Sequence, residues 1–310
     1  QSNTSLVFDD RLVLKLFRRL HQGPNPDVEV ARALAEVGYP NVVPPVATWE
    51  RGGADVAVVQ PFLTGATEGW SLALTSLRDF YNTDCEDPRD CGGDLGAESR
   101  RLGEVTGALH LALAAAFGDA DGDAAAWAAG MVRQVERLGT GRPWLAAARA
   151  VFERLAGTDA GRSIRVHGDY HLGQVVRADT GWFVLDFEGE PDRPLEERTV
   201  RTSPLKDVAG MLRSLDYAVS VAAREWPEEQ YEARVQEGRR WLERNRFAFL
   251  EGYFGTEGIA RLLPAPHADL TAALTAWELD KAVYELGYEE AHRPDWASIP
   301  HAAIARLLEG

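Results

Sequence analysis

The chain has 310 residues, is 45% hydrophobic and carries nine Trp, so it is long enough to form two lobes around a substantial core. Its 33 Lys and Arg against 48 Asp and Glu give a formal charge of −15, which disfavours the broad basic surfaces that bind nucleic acid or anionic membrane. A nucleotide stays compatible with that charge, because a small phosphate needs only one local cation, a metal and a few N–H groups. No apolar run is long enough for a spanning helix and no basic-then-apolar leader opens the chain, so a cytoplasmic setting is expected.

Residues 6–8 and 11–17 read as strands around an Asp9-Asp10 turn. Asn25-Pro26 then supplies an N-cap followed by a first-turn proline. Val28, Ala31, Leu34 and Ala35 repeat at helical spacing, which predicts a helix over 26–37. After Pro44-Pro45, residues 46–50 and 56–62 flank Arg51-Gly52-Gly53 as a second hairpin. Strands, one helix and more strands in the first 63 residues predict a small mixed lobe.

Beyond Gly65 the patterns become long, helical and rich in Ala and Leu, with acidic loops at 82–94 and 118–123. Cys85 and Cys91 both fall in the first loop. They read as a local disulfide or a chance pair of thiols rather than a zinc site, since no His lies at ligand spacing. Residues 164–185 interrupt the helical character with two short strands around a functional loop. A last helix is predicted over 271–291, closed by Arg293-Pro294.

That loop holds the strongest chemical signal: His167-Gly168-Asp169-Tyr170-His171-Leu172-Gly173-Gln174, followed by Asp186-Phe187-Glu188-Gly189-Glu190-Pro191. Phosphoryl transfer needs one group to accept or orient a hydroxyl proton and oxygen ligands to hold magnesium against the phosphates. Asp169 suits the first task. Gln174, Asp186 and Glu188 suit the second. The competing reading of each Asp is a turn whose carboxylate caps nearby N–H groups; His171 is either a substrate contact or a buried, hydrogen-bonded histidine. No His-Glu-x-x-His pattern points to a metalloprotease.

On these motifs the sequence resembles the kinase-like phosphotransferases, in the aminoglycoside-phosphotransferase branch that includes bacterial maltokinases. The likeness continues through QSNTS (1–5), KLFRR (15–19), NPDVEV (25–30), TEGW (67–70), SPLKDVAGMLRS (203–214) and DKAVYELGYE (280–289). It implies an α+β, bilobal, protein-kinase-like fold. Residues 1–63 would form a nucleotide-binding small lobe, and residues 64–310 a mainly helical catalytic and sugar-binding lobe. The chain opens at Gln1 without an initiator Met, so the small lobe is expected to begin partway through, without the N-terminal cap region of maltokinases. ATP and Mg²⁺ are the implied cofactors, with Asp169 activating a sugar hydroxyl and Gln174 and Asp186 holding the metal. The wider family places Asn where this chain has Gln174, one methylene longer. The reaction implied is conversion of maltose to maltose 1-phosphate at the anomeric hydroxyl. The alternatives are a glucosamine kinase or another small-sugar or aminoglycoside phosphotransferase, and an inactive sugar- or nucleotide-binding module.

The nucleotide needs a cation, and Lys15 in an apolar strand pattern is the candidate, against an exposed edge-strand lysine. Glu29 would pair with it, or else lie on a solvated helix face. Ser2, Asn3, Thr4 and Ser5 offer donors to phosphate, and Gln60 and Phe62 fall where a hinge would meet the base. On the acceptor side, Trp277, Lys281, Tyr284 and Tyr288 recur at i, i+4, i+7 and i+11, one aromatic face with a cation. Sugar rings stack on such faces; a core-packed stripe has the same spacing. Glu278, with His171, completes the expected sugar contacts, and Asp280 and Glu285 are further hydroxyl partners. Asp207 reads as a structural brace for the catalytic loop, and Arg193, Arg198 and Arg201 as partners for the surplus acids. A small-molecule sugar is thus the expected partner, and nothing in the sequence sets an oligomeric state.

Overall fold

Asp9 and Asp10 take φ of 49° and 51°, the left-handed pair at the centre of a tight turn in which the Arg11 N–H returns to the Phe8 carbonyl at 3.0 Å. With Arg11 they join β1 (Asn3–Phe8) to β2 (Leu12–Phe17), in register from Asn3 opposite Phe17 to Phe8 opposite Leu12. The computed structural model describes residues 3–83, 85–139, 141–190 and 194–309. α1 (Pro26–Glu36) starts on Asn25, whose Oδ1 accepts the Asp27 N–H at 2.8 Å, and it buries Val28, Val30, Ala31 and Leu34. β3 (Ala47–Arg51) and β4 (Ala54–Pro61) complete an antiparallel sheet in the order β1-β2-β4-β3.

A two-residue strand, β5 (Thr67–Glu68), leads into α2 (Gly69–Asn82) and then α3 (Gly96–Phe117). Between the two helices Cys85 and Cys91 form a disulfide. The predicted loop at 118–123 contains a strand instead, β6 (Asp119–Asp121). α4 (Ala124–Arg137) and α5 (Leu145–Leu155) follow, and β7 (Arg162–Ile164) returns to pair with β6. Acidic composition hid β6 because its stability is cross-strand: Arg162 bridges both Asp119 and Asp121. β8 (Val175–Ala178) and β9 (Gly181–Val184) form the hairpin after the catalytic motif.

The remainder is helical: α6 (Leu195–Arg198), α7 (Leu205–Ala223), α8 (Tyr231–Gly255), α9 (His267–His292) and α10 (Ser298–Glu309). α9 extends beyond the predicted 271–291 by one turn at its start. The small mixed sheet and the larger helical body match the expected α+β architecture. Among the described residues no helix is long and apolar enough to cross a membrane.

The closest helix packing is α3 against α8, where glycine is a steric necessity. A Cβ on Gly103 would stand 2.0 Å from the Phe249 carbonyl oxygen, and one on Gly252 would stand 2.0 Å from that of Arg100. Backbone therefore touches backbone, and Ser99 reaches Asn245 Oδ1 at 2.7 Å in the buried seam. Gly252→Ala is expected to lower stability by about 1–3 kcal/mol through overpacking. Gly255, where an added methyl would meet nothing within 4 Å, is the control. Urea unfolding of the Gly255→Ala variant should stay within about 0.5 kcal/mol of the parent.

Candidate active site

The candidate catalytic loop, residues 167–174, is held from below by one buried carboxylate. Asp207, in the first turn of α7, accepts the His167 N–H at 2.8 Å and the Gly168 N–H at 2.9 Å, and meets His110 Nε2 at 3.2 Å. Burial pushes its pKa up, but the His110 contact and the loop N–H groups outweigh that and hold it below the usual carboxylate value. His167 Nε2 in turn lies 2.9 Å from the Leu185 carbonyl, tying the first motif to the second. Gly168 at φ 88° and Asp186 at φ 64° turn the chain sharply on either side of that tie.

Asp169 emerges from this loop partly exposed. Lys281 Nζ from α9 lies 3.4 Å from its Oδ1, and His171 Nε2 lies 3.8 Å from its Oδ2. Lys281 also contacts Glu190 Oε1 at 2.9 Å and sits 4.8 Å from the centre of the Tyr284 ring. Burial would lower the Lys281 pKa; Glu190, Asp169 and Glu285 outweigh it and hold the ammonium above its ordinary value. His171 goes the other way, its pKa lowered chiefly by burial.

At the junction with the sheet, Lys15 Nζ bonds Asp27 Oδ2 at 2.9 Å and Asp186 Oδ1 at 3.0 Å. Burial lowers its pKa and the two carboxylates raise it further, so it remains a firm cation. The expected partner, Glu29, is not the one found. It points about 200° around the helix from Asp27 and faces Arg165 at 3.5 Å instead. Asp27 reaches Lys15 because it lies in the turn beside the sheet, where its other oxygen accepts the Phe187 N–H at 2.9 Å.

Gln174 Nε2 approaches Asp186 Oδ2 at 3.5 Å, so these two predicted metal ligands meet. Glu188 does not join them as expected. Beyond the turn at Asp186 its carboxylate is engaged by the amides of Asn3 and Asn25, at 3.1 and 3.4 Å. Strand alternation also splits the predicted phosphate donors: Ser5 faces Lys15 across the hairpin, while Thr4 turns to the opposite face and accepts from Arg18 at 3.0 Å. Asn3 is committed to Glu188, and Ser2 lies outside the described residues, as do Pro191 and Arg193. Between sheet and loops lies a cavity of about 390 Å³, lined by Ser5, Lys15, Val42, Gln60, Phe62 and Asp186 among others. The Phe62 N–H is already donated to the Arg11 carbonyl, and the Gln60 side chain to that of Val43.

The predicted aromatic face of α9 divides around Lys281. Trp277 stands about 10 Å along the axis from Tyr284 and is nearly buried against Trp127, lining a cavity of about 460 Å³ with Gln134, Gly168, Glu190 and Asp280. Lys281, Tyr284, Tyr288 and His171 line another, of about 510 Å³. Glu278 lines neither: it points into the helical body and pairs with Arg246 through contacts of 2.7 and 3.0 Å. Arg198, expected only to pair with acids, lines the 460 Å³ cavity as well, and Arg201 donates to the Phe117 carbonyl. The site residues the sequence reading missed are Asp27, Glu190 and Gln134. An acid in the first turn of α1 was a legible sign of the first; Gln134, from α4, carried no local signal.

Residues 1–250 match the family model described as the phosphotransferase enzyme family. The chain is 31% identical over 334 residues to a glucosamine kinase of Streptacidiphilus jiangxiensis, spanning 99% of this chain and 72% of the relative. It is 30% identical over 326 residues to a glucosamine kinase of Mycolicibacterium smegmatis, spanning 100% and 78%. A solved glucosamine kinase in complex with glucosamine, ADP and inorganic phosphate aligns with a TM-score of 0.79 at 28% identity, over 98% of this chain and 74% of that one. A choline/ethanolamine kinase family protein from Mesorhizobium loti, at 13% identity and a TM-score of 0.55, shares the fold.

Because the folded-state pKa of Asp207 is depressed, its contribution to stability is present above about pH 4 and is lost as pH falls through the folded value. Asp207→Asn should therefore cost about 1–3 kcal/mol at pH 7. The gap to the parent should narrow at pH 3, as measured by urea unfolding at the two pH values.

Proposed function

The chain belongs to the phosphotransferase enzyme family, and from that membership we propose that it is an ATP-dependent kinase that phosphorylates a hydroxyl of glucosamine. The observation that carries the amino sugar is the match over essentially the whole chain to two glucosamine kinases. It displaces maltose, the acceptor expected from the motifs, as the first reading. The 510 Å³ cavity supports a sugar acceptor chemically. It is lined by His171 and Lys281, the two residues that contact Asp169, offers Tyr284 and Tyr288 to apolar sugar faces, and carries the carboxylate of Glu68 where an ammonium or hydroxyl would bind.

In this reading the nucleotide base occupies the cavity between Val42 and Phe62, and Lys15 contacts the phosphates. Asp169 takes the proton of the acceptor hydroxyl as its oxygen attacks the γ-phosphorus; the new O–P bond forms as the bond to the β-phosphate oxygen breaks and ADP leaves. Lys281 keeps the Asp169 carboxylate oriented. Asp186 and Gln174 are the residues that would hold Mg²⁺. The Gln174 amide can turn its oxygen to the position its nitrogen takes, and two oxygen donors suit an ion that completes its shell with phosphate and water. When bound, the ion neutralises charge on the transferring phosphoryl group.

An acceptor panel of glucosamine, maltose, glucose and kanamycin, with ADP release and product phosphate position measured together, tests the assignment. Glucosamine should have the highest kcat/KM; a higher value for maltose would sink it, and no ATP consumption with any acceptor would favour a binding module. Asp169→Asn should lower kcat by about 10²–10⁴-fold with little change in KM for ATP. Asp27→Ala should raise KM for ATP by roughly tenfold, as loss of a charge-assisted contact of about 1.4 kcal/mol. In the same assay Glu29→Ala should leave that KM within about twofold.

A further inference from the structure

With the acceptor assigned to the cavity of His171 and Lys281, the 460 Å³ cavity takes no part in the proposed reaction. Its charge runs against that of the chain. Five cations line it, Arg133, Arg137, Arg198, Arg201 and Lys206, against the three acids Glu190, Glu197 and Asp280, in a protein whose formal charge is −15. The acids are engaged: Glu190 accepts from Lys281 at 2.9 Å and stands 3.7 Å from Lys206, Asp280 accepts from Gln134 at 2.9 Å, and Glu197 is not without a partner. The cations are not all matched. Arg133 and Arg137, one turn apart on α4, are exposed, and neither has an ion pair or hydrogen bond among the described residues. Arg201 gives one of its five N–H groups to the Phe117 carbonyl, and Lys206 keeps donors beyond the one that faces Glu190.

The same face of α4 carries an aromatic ring. Trp127 keeps accessible surface and packs on the nearly buried Trp277, with ring centres 5.7 Å apart and planes at 60°. Guanidinium forks match phosphate oxygens, and an apolar ring face packs on an indole, so the ligand chemistry that fits is a phosphomonoester carried on a sugar ring. An uncharged sugar would leave the two arginines unanswered. The cavity also reaches the reacting centre, because Gly168, next to Asp169, and Glu190 both line it. Glu190 is the link: it faces Lys206 on one side and Lys281 on the other, and Lys281 stands 3.4 Å from Asp169. An anion that draws Lys206 toward itself strengthens the pull of Glu190 on Lys281. The ammonium then settles on Glu190, already its nearer partner at 2.9 Å, and away from Asp169.

We propose that the 460 Å³ cavity is an effector site for a phosphorylated sugar, whose binding slows phosphoryl transfer through Glu190 and Lys281. The effect on rate rests on the kinase reading with Asp169 as base; the binding does not. The probe is glucose 6-phosphate, titrated calorimetrically into the full chain and its Arg133→Ala/Arg137→Ala double variant, with glucose and sodium sulfate as controls at equal ionic strength. ADP release with glucosamine as acceptor is followed in parallel. At saturation the probe should lower kcat by about fivefold or more while KM for glucosamine stays within about twofold. The double variant should keep the parent's kcat in the absence of the probe, which reports that it is folded, and should bind the probe at least about tenfold more weakly. Inhibition competitive with glucosamine, equal probe binding by parent and double variant, an equal effect from sulfate, or an unchanged kcat at saturation each overturns the proposal. If glucosamine is not phosphorylated, the acceptor reading falls alone: loss of probe binding in the double variant still upholds the site, and equal binding still overturns it.

Discussion

The carboxylate of Asp207 is the constraint on which the active site depends. It is buried at the start of α7 and satisfies two consecutive backbone N–H groups of the catalytic loop, which would otherwise be orphaned in the interior. Because α7 is itself almost wholly buried, the loop is referenced to the core of the helical body. His110 and, through it, Tyr253 extend the brace into α3 and α8, where glycines bring the two backbones into contact. The loop carrying the partly exposed carboxylate of Asp169 thus rests on a chain of buried polar contacts and close helix packing.

The sheet reaches the same centre by charge. Lys15 crosses from β2 to Asp186, and Asp27 anchors that lysine while also accepting the Phe187 N–H of the second motif. One carboxylate therefore joins the first turn of α1, the central strand pair and the loop after β9. The acceptor side has a comparable hub in Lys281, which links α9 to both Asp169 and Glu190 and stands between two cavities of different chemistry. The first mixes acids with Arg and Lys side chains around Trp277; the second is walled by aromatic rings, with Glu68 in its lining.

Local rules account for much of what the sequence revealed. The Asp-Asp hairpin, the Asn-capped α1 and the hairpin after Pro44-Pro45 are each specified by residues within a few positions of one another, so they are legible without tertiary knowledge. β6 was not legible, because three residues with two acids form a strand only when Arg162 arrives from 41 positions away. The same distinction governs the site. Gln174 and Asp186 lie at the two ends of one hairpin, which brings them together, and the His167 contact to the Leu185 carbonyl ties the motif of Asp169 to that hairpin.

The sequence by itself determined the mixed small lobe, the helical character beyond it and the two acidic motifs, because turn chemistry, periodicity and motif spacing are encoded over short stretches. Only the tertiary structure decided which carboxylate holds Lys15, that Glu188 and Glu278 are engaged elsewhere, and that the aromatic face of α9 serves two cavities. The physical reason is that helical periodicity fixes the direction of a side chain about its own axis but not what stands opposite. A rotation of about 200° separates Asp27 from Glu29, and about 10 Å of helix separates Trp277 from Tyr284. What each side chain meets there is set by other elements, near in the chain when β2 brings Lys15 to Asp27 and far when α9 brings Lys281 to Asp169.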